Sequence, residues 1–342
     1  MLFRSQVATA QAFRDLLDGS ALLQEGAARR LQDPISLRSI IQTHGAAHAA
    51  LDVLEAAIDV EINHASDNPA VLLAENRLVS TGNYHTPWLA QTLDLHSEVI
   101  GARSKVEASP PDLKADKQEV AGLVDRRAPL IERWELEWDP DIFAALATQI
   151  CDIGARHRPE LAPSFEEVRS LLTVEAAQSS DIVSAYLKEG KVGLPDLADE
   201  TRGVLSFVLI HSLHPFFRAH ASVLTPLIED QKWYQRLCPV CGDEPDFAYL
   251  EETVGGLRLL CSRCDSLWTF KRGECTFCGN SNNETFAYYL SDDNVYRLYV
   301  CDNCQRYLKV MDGRETSLKP VLPLQRIITI GMDLSARQEG YQ

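Results

Sequence analysis

Eight of the nine cysteines lie between Cys238 and Cys304, arranged as four Cys-x-x-Cys pairs: CPVCG at 238–242, CSRC at 261–264, CTFCG at 275–279 and CDNC at 301–304. Two cysteines separated by two residues can wrap one metal ion from a tight knuckle, and a glycine after the second permits the left-handed backbone such a turn needs. The chain repeats itself here. CPVCG is followed by LLCSRCDSLW, with 19 residues between Cys241 and Cys261, and CTFCG by YVCDNCQRYL, with 22 between Cys278 and Cys301; 10 residues separate Cys264 from Cys275. The repeat predicts consecutive pairing: Cys238, Cys241, Cys261 and Cys264 around one ion, and Cys275, Cys278, Cys301 and Cys304 around a second. A cross-braced pairing, first knuckle with third and second with fourth, explains the duplication less well. Four thiolates suit zinc and a single iron equally, so two metal ions, each bound by four cysteines and either iron or zinc, are expected. Structural zinc of this kind supplies on the order of 10 kcal/mol or more of local folding energy. Neither site offers a non-thiolate ligand or an open position, so Lewis-acid catalysis is not expected.

The rest of the chain limits the setting of this chemistry. Clustered cysteines in a chain without a secretory leader favour metal over disulfides, and Cys151, alone in a helical stretch, reads as a small buried hydrophobe. The opening MLFRSQVATAQAFRDLL lacks an apolar core and a small-residue cleavage site, so a cytoplasmic protein is expected. The most apolar run, Val204 to Phe217, is short and holds His211, His214 and Pro215, so no membrane span is expected. Each divalent ion held by four thiolates carries a formal −2, so two of them take the formal charge from −16 to −20. Such acidity argues against nucleic acid as a partner, and Arg258, Arg263, Lys271, Arg272, Arg297, Arg306 and Lys309 read as local counter-charge to the thiolates.

The elements that must carry these knuckles change character along the 342 residues. Residues 1–102 are rich in Ala and Leu with helical periodicity in Ala10–Leu31 and Ser39–Ile58, and residues 103–118, holding Pro110 and Pro111, read as a linker. Residues 119–232 are strongly helical, with apolar spacing over Asp139–His157, Ser164–Leu172, Val174–Lys188 and Ala198–Ile228; Pro215 is expected to kink or end the last of these. Residues 233–315 lose that periodicity, and FAYLEE, LRLL, TFAYYL and VYRLYV suit strands. Residues 316–342 are expected to form a closing helix. The fold class is therefore an α+β multidomain protein, with helical N-terminal regions and then a small β-rich double metal module. Trp268 and Tyr307 stand at matching places after their knuckles and are expected to pack over them. His157, His211, His214 and His220 could approach the module, but the cysteines already fill both sites.

CPVCG and CTFCG look like the knuckles of zinc ribbons and of rubredoxins. WYQRLCPVCG, CSRCDSLWTFKRGECTFCG, YVCDNCQRYLKV and MDLSARQEGYQ, with LIHSLHPFFRAHASVLTPLIEDQKW before them, resemble the formate dehydrogenase accessory protein family FdhE over about residues 119–342. The resemblance implies a cytoplasmic, non-enzymatic protein with a helical domain and a rubredoxin-like module. It also implies a partner, the catalytic subunit of formate dehydrogenase, whose activity needs this factor; a homodimer stays open. A rubredoxin-type electron carrier and a zinc-ribbon adaptor are the alternatives.

A second resemblance covers about residues 11–98. RLQDPISLRSIIQTHGAA, VEINHASDNPAV and STGNYHTPWLAQTLD are similar to histidine ammonia-lyase and its aromatic amino acid lyase relatives. It implies substrate positions at Gln32 and Arg38, the latter the carboxylate binder, and an active-site motif at Asn83 and Tyr84. The Ala-Ser-Gly triplet that forms the lyase cofactor is absent, and Ile35 stands where the catalytic tyrosine is common. These positions are therefore expected to be vestigial, with no catalytic residue in the chain. His44, His48, His64, His85 and His96 read as relics or ordinary helix and turn residues. The two resemblances meet between Leu95 and Asp116, a join expected to come from gene prediction or assembly, with a genuine fusion as the alternative. Residues 1–102 would expose faces that a complete lyase buries, so loose packing is expected there.

Overall fold

A computed structural model describes residues 87–112, 116–173, 176–189, 194, 197–228, 233–252, 256–291, 294–315 and 321–342. Gln32, Arg38, Asn83 and Tyr84 lie outside the described residues, as do His44, His48, His64 and His85. Among the described residues six longer helices come first: α1 (Pro87–Arg103), α2 (Lys117–Asp125), α3 (Pro140–His157), α4 (Ala162–Thr173), α5 (Ala176–Glu189) and α6 (Asp199–Ile228). A six-stranded sheet follows, then α7 (Leu322–Ile328) and α8 (Ile330–Gln338).

The helices form where apolar residues recur on one face. In α3, Phe143, Leu146, Ala147, Ile150, Ile153 and Gly154 are buried, at the three- and four-residue spacing that makes one stripe. Asp139 caps this helix by accepting from the backbone N–H groups of Asp141 and Ile142, with Pro140 at the first helical position. α3 packs on α1, α4 and α6. The last of these is the central helix. Its residues Ser212 to Phe217 are buried without a break, so it is covered on every side there. Pro215 does not end it, nor does Pro226; the helix runs through both. A proline inside a helix costs about 3 kcal/mol locally, and the side chains buried on either side outweigh that cost. Residues 87–102, which share the lyase resemblance, form most of α1, and Leu95, Val99 and Ala102 of this helix belong to the same core as α3 and α6.

The sheet has the order β3-β2-β1-β6-β5-β4. β1 (Pro245–Leu250), β2 (Leu257–Cys261) and β3 (Leu267–Phe270) form one antiparallel meander, and β4 (Phe286–Leu290), β5 (Tyr296–Cys301) and β6 (Arg306–Asp312) form the other. The two are joined by parallel pairing of β1 with β6, Phe247 opposite Lys309 through Leu250 opposite Asp312. The sequence repeat is thus a structural repeat: each unit is knuckle, hairpin, knuckle, strand. β1, β2, β4 and β5 fall on the runs expected to be strands, whereas β3 and β6 did not stand out. The expected single closing helix is two, α7 and α8, meeting at Thr329.

The main core is shared between the helices, the first repeat and, through Leu308 and Val310, strand β6. It includes Phe143, Leu209 and Phe217 together with Cys238, Val240, Cys241, Leu250, Leu259, Cys261, Cys264 and Trp268. A smaller cluster joins the second repeat to the tail through Tyr289, Leu298, Val300, Met332, Ala336 and Tyr341, with Leu93 of α1.

Candidate metal centres

The fold brings the cysteines together in two sets, Cys238, Cys241, Cys261 and Cys264, and Cys275, Cys278, Cys301 and Cys304; within each, the sulfurs all lie within 4.8 Å of one another. In the first set Cys238 Sγ and Cys264 Sγ are 3.6 Å apart, and Cys241 Sγ and Cys261 Sγ 3.3 Å. In the second, Cys275 to Cys304 is 3.7 Å and Cys278 to Cys301 is 3.6 Å. A disulfide would need about 2.05 Å. A tetrahedron of thiolates at about 2.3 Å from a central ion has edges of about 3.8 Å, so both sets fit an ion. The consecutive arrangement of the repeat, and not the cross-braced one, is what the structure contains.

Each knuckle is a turn whose geometry follows from its sequence. Gly242 N–H donates to the carbonyl of Cys238 and Gly279 N–H to that of Cys275, with φ of 76° and 75°. In the second knuckle of each repeat the matching left-handed position is held by Asp265 and Gln305, both at φ 57°. Backbone N–H groups of Val240, Arg263 and Phe277 point at Cys238, Cys261 and Cys275 sulfurs from 3.4 Å. Such N–H to sulfur bonds spread thiolate charge and orient the ligands.

The two sites differ in their surroundings. Cys238, Cys241, Cys261 and Cys264 are at most 5% exposed. Burial pushes the Cys238, Cys241 and Cys261 thiols well above their ordinary range. Four buried thiolates therefore call for a cation among them. The 3-10 turn at Leu130–Glu132 docks on the first knuckle, Leu130 N–H donating to the Pro239 carbonyl at 2.8 Å and Ile131 N–H to that of Val240 at 2.9 Å. Arg263 ion-pairs with Asp243 at 2.8 Å and stacks over Tyr186 and Phe217 at 5.3 and 5.4 Å. The Trp268 indole N–H donates to the Gln235 carbonyl at 2.9 Å, bracing the segment that leads into the first knuckle.

At the second site Cys275 and Cys301 are buried but Cys278 and Cys304 are partly exposed. Side-chain amides approach the sulfurs here: Asn303 donates to Cys278 at 3.5 Å and Asn280 to Cys301 at 3.6 Å. Burial works against the Cys278 thiolate, yet the Asn303 amide and the Asn280 backbone N–H bring its pKa down to about 7. Outer support comes from Arg306, which stacks over Phe277 at 3.7 Å and holds Glu244 at 2.6 and 2.8 Å. The tail adds Tyr341 O–H to Asp302 at 2.6 Å and Gln342 N–H to the Gln305 carbonyl at 2.7 Å. Tyr307, at the place equivalent to Trp268, donates to Asp333 of α8 at 2.9 Å.

A buried polar seam ties the first site to the helices. The Asp265 carboxylate accepts from His214 Nε2 at 2.8 Å and from Arg326 of α7 at 3.0 Å, with Arg218 at 3.7 Å. Although burial works to raise it, interaction with His214 and Arg326 holds Asp265 well below the usual carboxylate range. Arg326 also donates to the carbonyl of the ligand Cys261 at 2.7 Å. Arg103, at the end of α1, meets His211 at 3.1 Å. None of the four histidines that could have approached the module is among the sulfur clusters. His220 donates to the Trp134 carbonyl at 2.8 Å, and His157 pairs with Glu98 at 2.7 Å. The sequence reading missed the role of His214 and Asp265. Asp265 had a faint local signal, an Asp where the knuckle needs left-handed backbone, but its partners are 51 and 61 residues away. Cys151 is buried in α3, as a small core residue should be. A cleft of about 860 Å³ opens beside the first site between α6 and β3, lined among others by Arg218, Thr225, Tyr234, Arg258 and Trp268.

Comparison with known proteins finds two separate likenesses. Over 260 residues, 74% of this chain and 84% of the relative, it is 26% identical to a Protein FdhE homolog of Aquifex aeolicus. The crystal structure of the FdhE protein from Pseudomonas aeruginosa covers 78% of this chain at 19% identity, with a TM-score of 0.49. Residues 2–105 match the family Aromatic amino acid lyase. Histidine ammonia-lyases of Geobacillus sp. and Stigmatella aurantiaca are 39% identical over 104 residues and 42% over 102. Each of these matches spans 30% of this chain and only 20% of the lyase. Both resemblances read from the motifs are thus borne out.

Proposed function

We propose that this chain is an accessory protein of formate dehydrogenase, which binds the catalytic subunit of that enzyme and is needed for its activity, and is not itself an enzyme. The observation that carries this is the length of the FdhE likeness. At 260 residues it cannot be confined to the lyase-like stretch, and it takes in 84% of the relative. The two four-cysteine clusters support the same reading, because a module with all four knuckles in FdhE order is what the likeness predicts. A bound ion would cross-link two knuckles in each repeat and, if iron, would add a one-electron couple. The chain's own residues set the rest: backbone N–H groups orient the sulfurs, and Asp265, His214 and Arg326 fix the first site against the helical domain.

For the partner we favour the face beside the cleft. Tyr234 and Leu237 are among the exposed large apolar residues there, at 43% and 45%, and exposed aromatic and apolar anchors are common where proteins bind one another. We assign no lyase activity, because the matched piece is a fifth of a lyase and lacks the cofactor triplet. The cytoplasm is the proposed location, where an immature subunit would be met. The test is capture of the formate dehydrogenase catalytic subunit by tagged full-length protein from cells making both. Recovery that falls at least about tenfold in a Tyr234→Asp, Leu237→Asp double variant fits removal of anchor residues. Absence of the subunit from the wild-type eluate, with unchanged formate dehydrogenase activity in cells lacking this gene, would overturn the proposal.

A further inference from the structure

Two sites with the same ligands and the same knuckles sit in different surroundings, and surroundings decide how readily a thiolate-bound ion leaves. We infer that the second site is the exchangeable one and the first a permanent cross-link; the inference rests on the reading that both clusters hold metal. For an ion to leave, an incoming ligand must reach it or displace a sulfur, which requires an exposed sulfur or an opening of the structure. At the second site Cys278 and Cys304, one from each knuckle, are already partly exposed. None of the four cysteines there belongs to the core shared with the helices, which this site touches through Phe277 of its first knuckle, and the tail residues Tyr341 and Gln342 hold the last knuckle by one side chain and one backbone N–H. A small local opening would therefore bare the ion.

At the first site the sulfurs are covered: Cys264 lies in the wall of the neighbouring cleft but is only 1% exposed. All four cysteines belong to the main core. One knuckle is bonded to the turn at Leu130–Glu132 through Pro239 and Val240, and the other is held by Arg326 through the Cys261 carbonyl and by Asp265 against His214. Freeing either knuckle means parting the sheet from the helices, an opening of sub-global size. Departure of zinc from either site has the same balance: the ion passes to the chelator, and the four thiolates left behind take up protons from water. Only the opening differs. This arrangement gives the protein one ion that can be lost, delivered or replaced while its fold stays intact.

The experiment uses full-length protein loaded with zinc and mixed with an excess of a chromogenic zinc chelator, while parallel samples are pulsed with a maleimide and mapped by peptide mass. One equivalent should leave at least about tenfold faster than the other. Labelling of Cys275, Cys278, Cys301 and Cys304 should accompany the fast phase, and labelling of Cys238, Cys241, Cys261 and Cys264 the slow one. A Cys304→Ser variant should lose the fast equivalent and keep the slow one at its original rate. Two equivalents released in a single phase, or a fast phase that labels the first set, would overturn the inference while leaving the metal reading intact. A protein that takes up no zinc and no iron would overturn that reading itself.

Discussion

The two halves of the metal module were built from one pattern and ended in different environments. Both have a Cys-x-x-Cys-Gly knuckle, a hairpin, a second knuckle with left-handed backbone after its last cysteine, and a closing strand. In the first half that left-handed residue is Asp265, buried under His214, Arg218 and Arg326; in the second it is Gln305, whose amide donates to the Asp302 carbonyl within its own turn. The first half faces α6 and the turn at Leu130–Glu132, while the second faces α8 and solvent. A repeated motif thus fixes how sulfurs are gathered but not what covers them, and the cover sets whether a site is a strut or an exchangeable centre.

Matched substitutions would break or sharpen this contrast. The largest effect is expected from the ligands. Cys261→Ser should cost the first ion and, with structural thiolate sites contributing on the order of 10 kcal/mol, should melt the sheet and loosen the helices packed on it. Cys304→Ser should cost one ion and leave the helical domain folded. Metal content with far-ultraviolet circular dichroism reads both, and equal damage from the two would end the distinction. Next is the pair of left-handed residues. Asp265→Asn removes the buried carboxylate shared by His214 and Arg326, leaving Arg326 with Asp246 alone at 2.8 Å, and should lower stability by about 2 kcal/mol in urea unfolding, whereas Gln305→Asn places a residue tolerant of that backbone and should cost under about 1 kcal/mol.

Smaller effects probe the knuckle glycines. Both need positive φ, so alanine at either should cost about 1 kcal/mol or more. A methyl on Gly242 would also meet Pro129 Cγ at 3.0 Å, while one on Gly279 meets only Arg236 Nη1 at 3.7 Å. Gly242→Ala should therefore be the worse of the two in thermal unfolding. The effect that is smallest near neutral pH concerns the seam of α1. Burial, helped by the charge of Arg103, pushes His96 down from an ordinary 6.5 to about 4. Between those values the unfolded chain binds the proton and the folded one does not, so stability from this group is complete above about pH 6.5 and falls as pH drops toward 4. By pH 5.5 the loss should be about 1.4 kcal/mol. His96→Gln should flatten that slope, and an unchanged slope would remove His96 from the account.

Much of this was legible in the residues. The three- and four-residue spacing of Phe143, Leu146 and Ile150 placed α3, and similar stripes placed α4, α5 and α6 to within a few residues. The spacing of the cysteines gave the two clusters and their consecutive pairing. Pro215 does not end α6 because a helix buried all round can carry a local cost that an exposed one cannot. LWTF and RYLKVMD were passed over because they are short or charged, and only pairing with β2 on one side and with β1 and β5 on the other makes them strands. The first turn of the tail could have joined α8, but the helix breaks at Thr329, where nothing in composition marks a boundary.

What the sequence determined by itself is therefore the local chemistry: knuckles that gather four sulfurs, because the spacing and the left-handed residue are properties of five or six neighbouring positions. It also carried both family likenesses, which depend on the order of short motifs along the chain. What only the tertiary structure decided is which knuckle is buried and by what. That depends on α6, the Leu130–Glu132 turn and Arg326 converging on one half of a near-symmetric sheet, and on α1 completing the helical core with Leu95, Val99 and Ala102. The physical reason is range. Backbone turns and sulfur geometry are settled within a few residues, whereas burial of Asp265 against His214 is settled by packing between segments 51 residues apart, which no local pattern encodes.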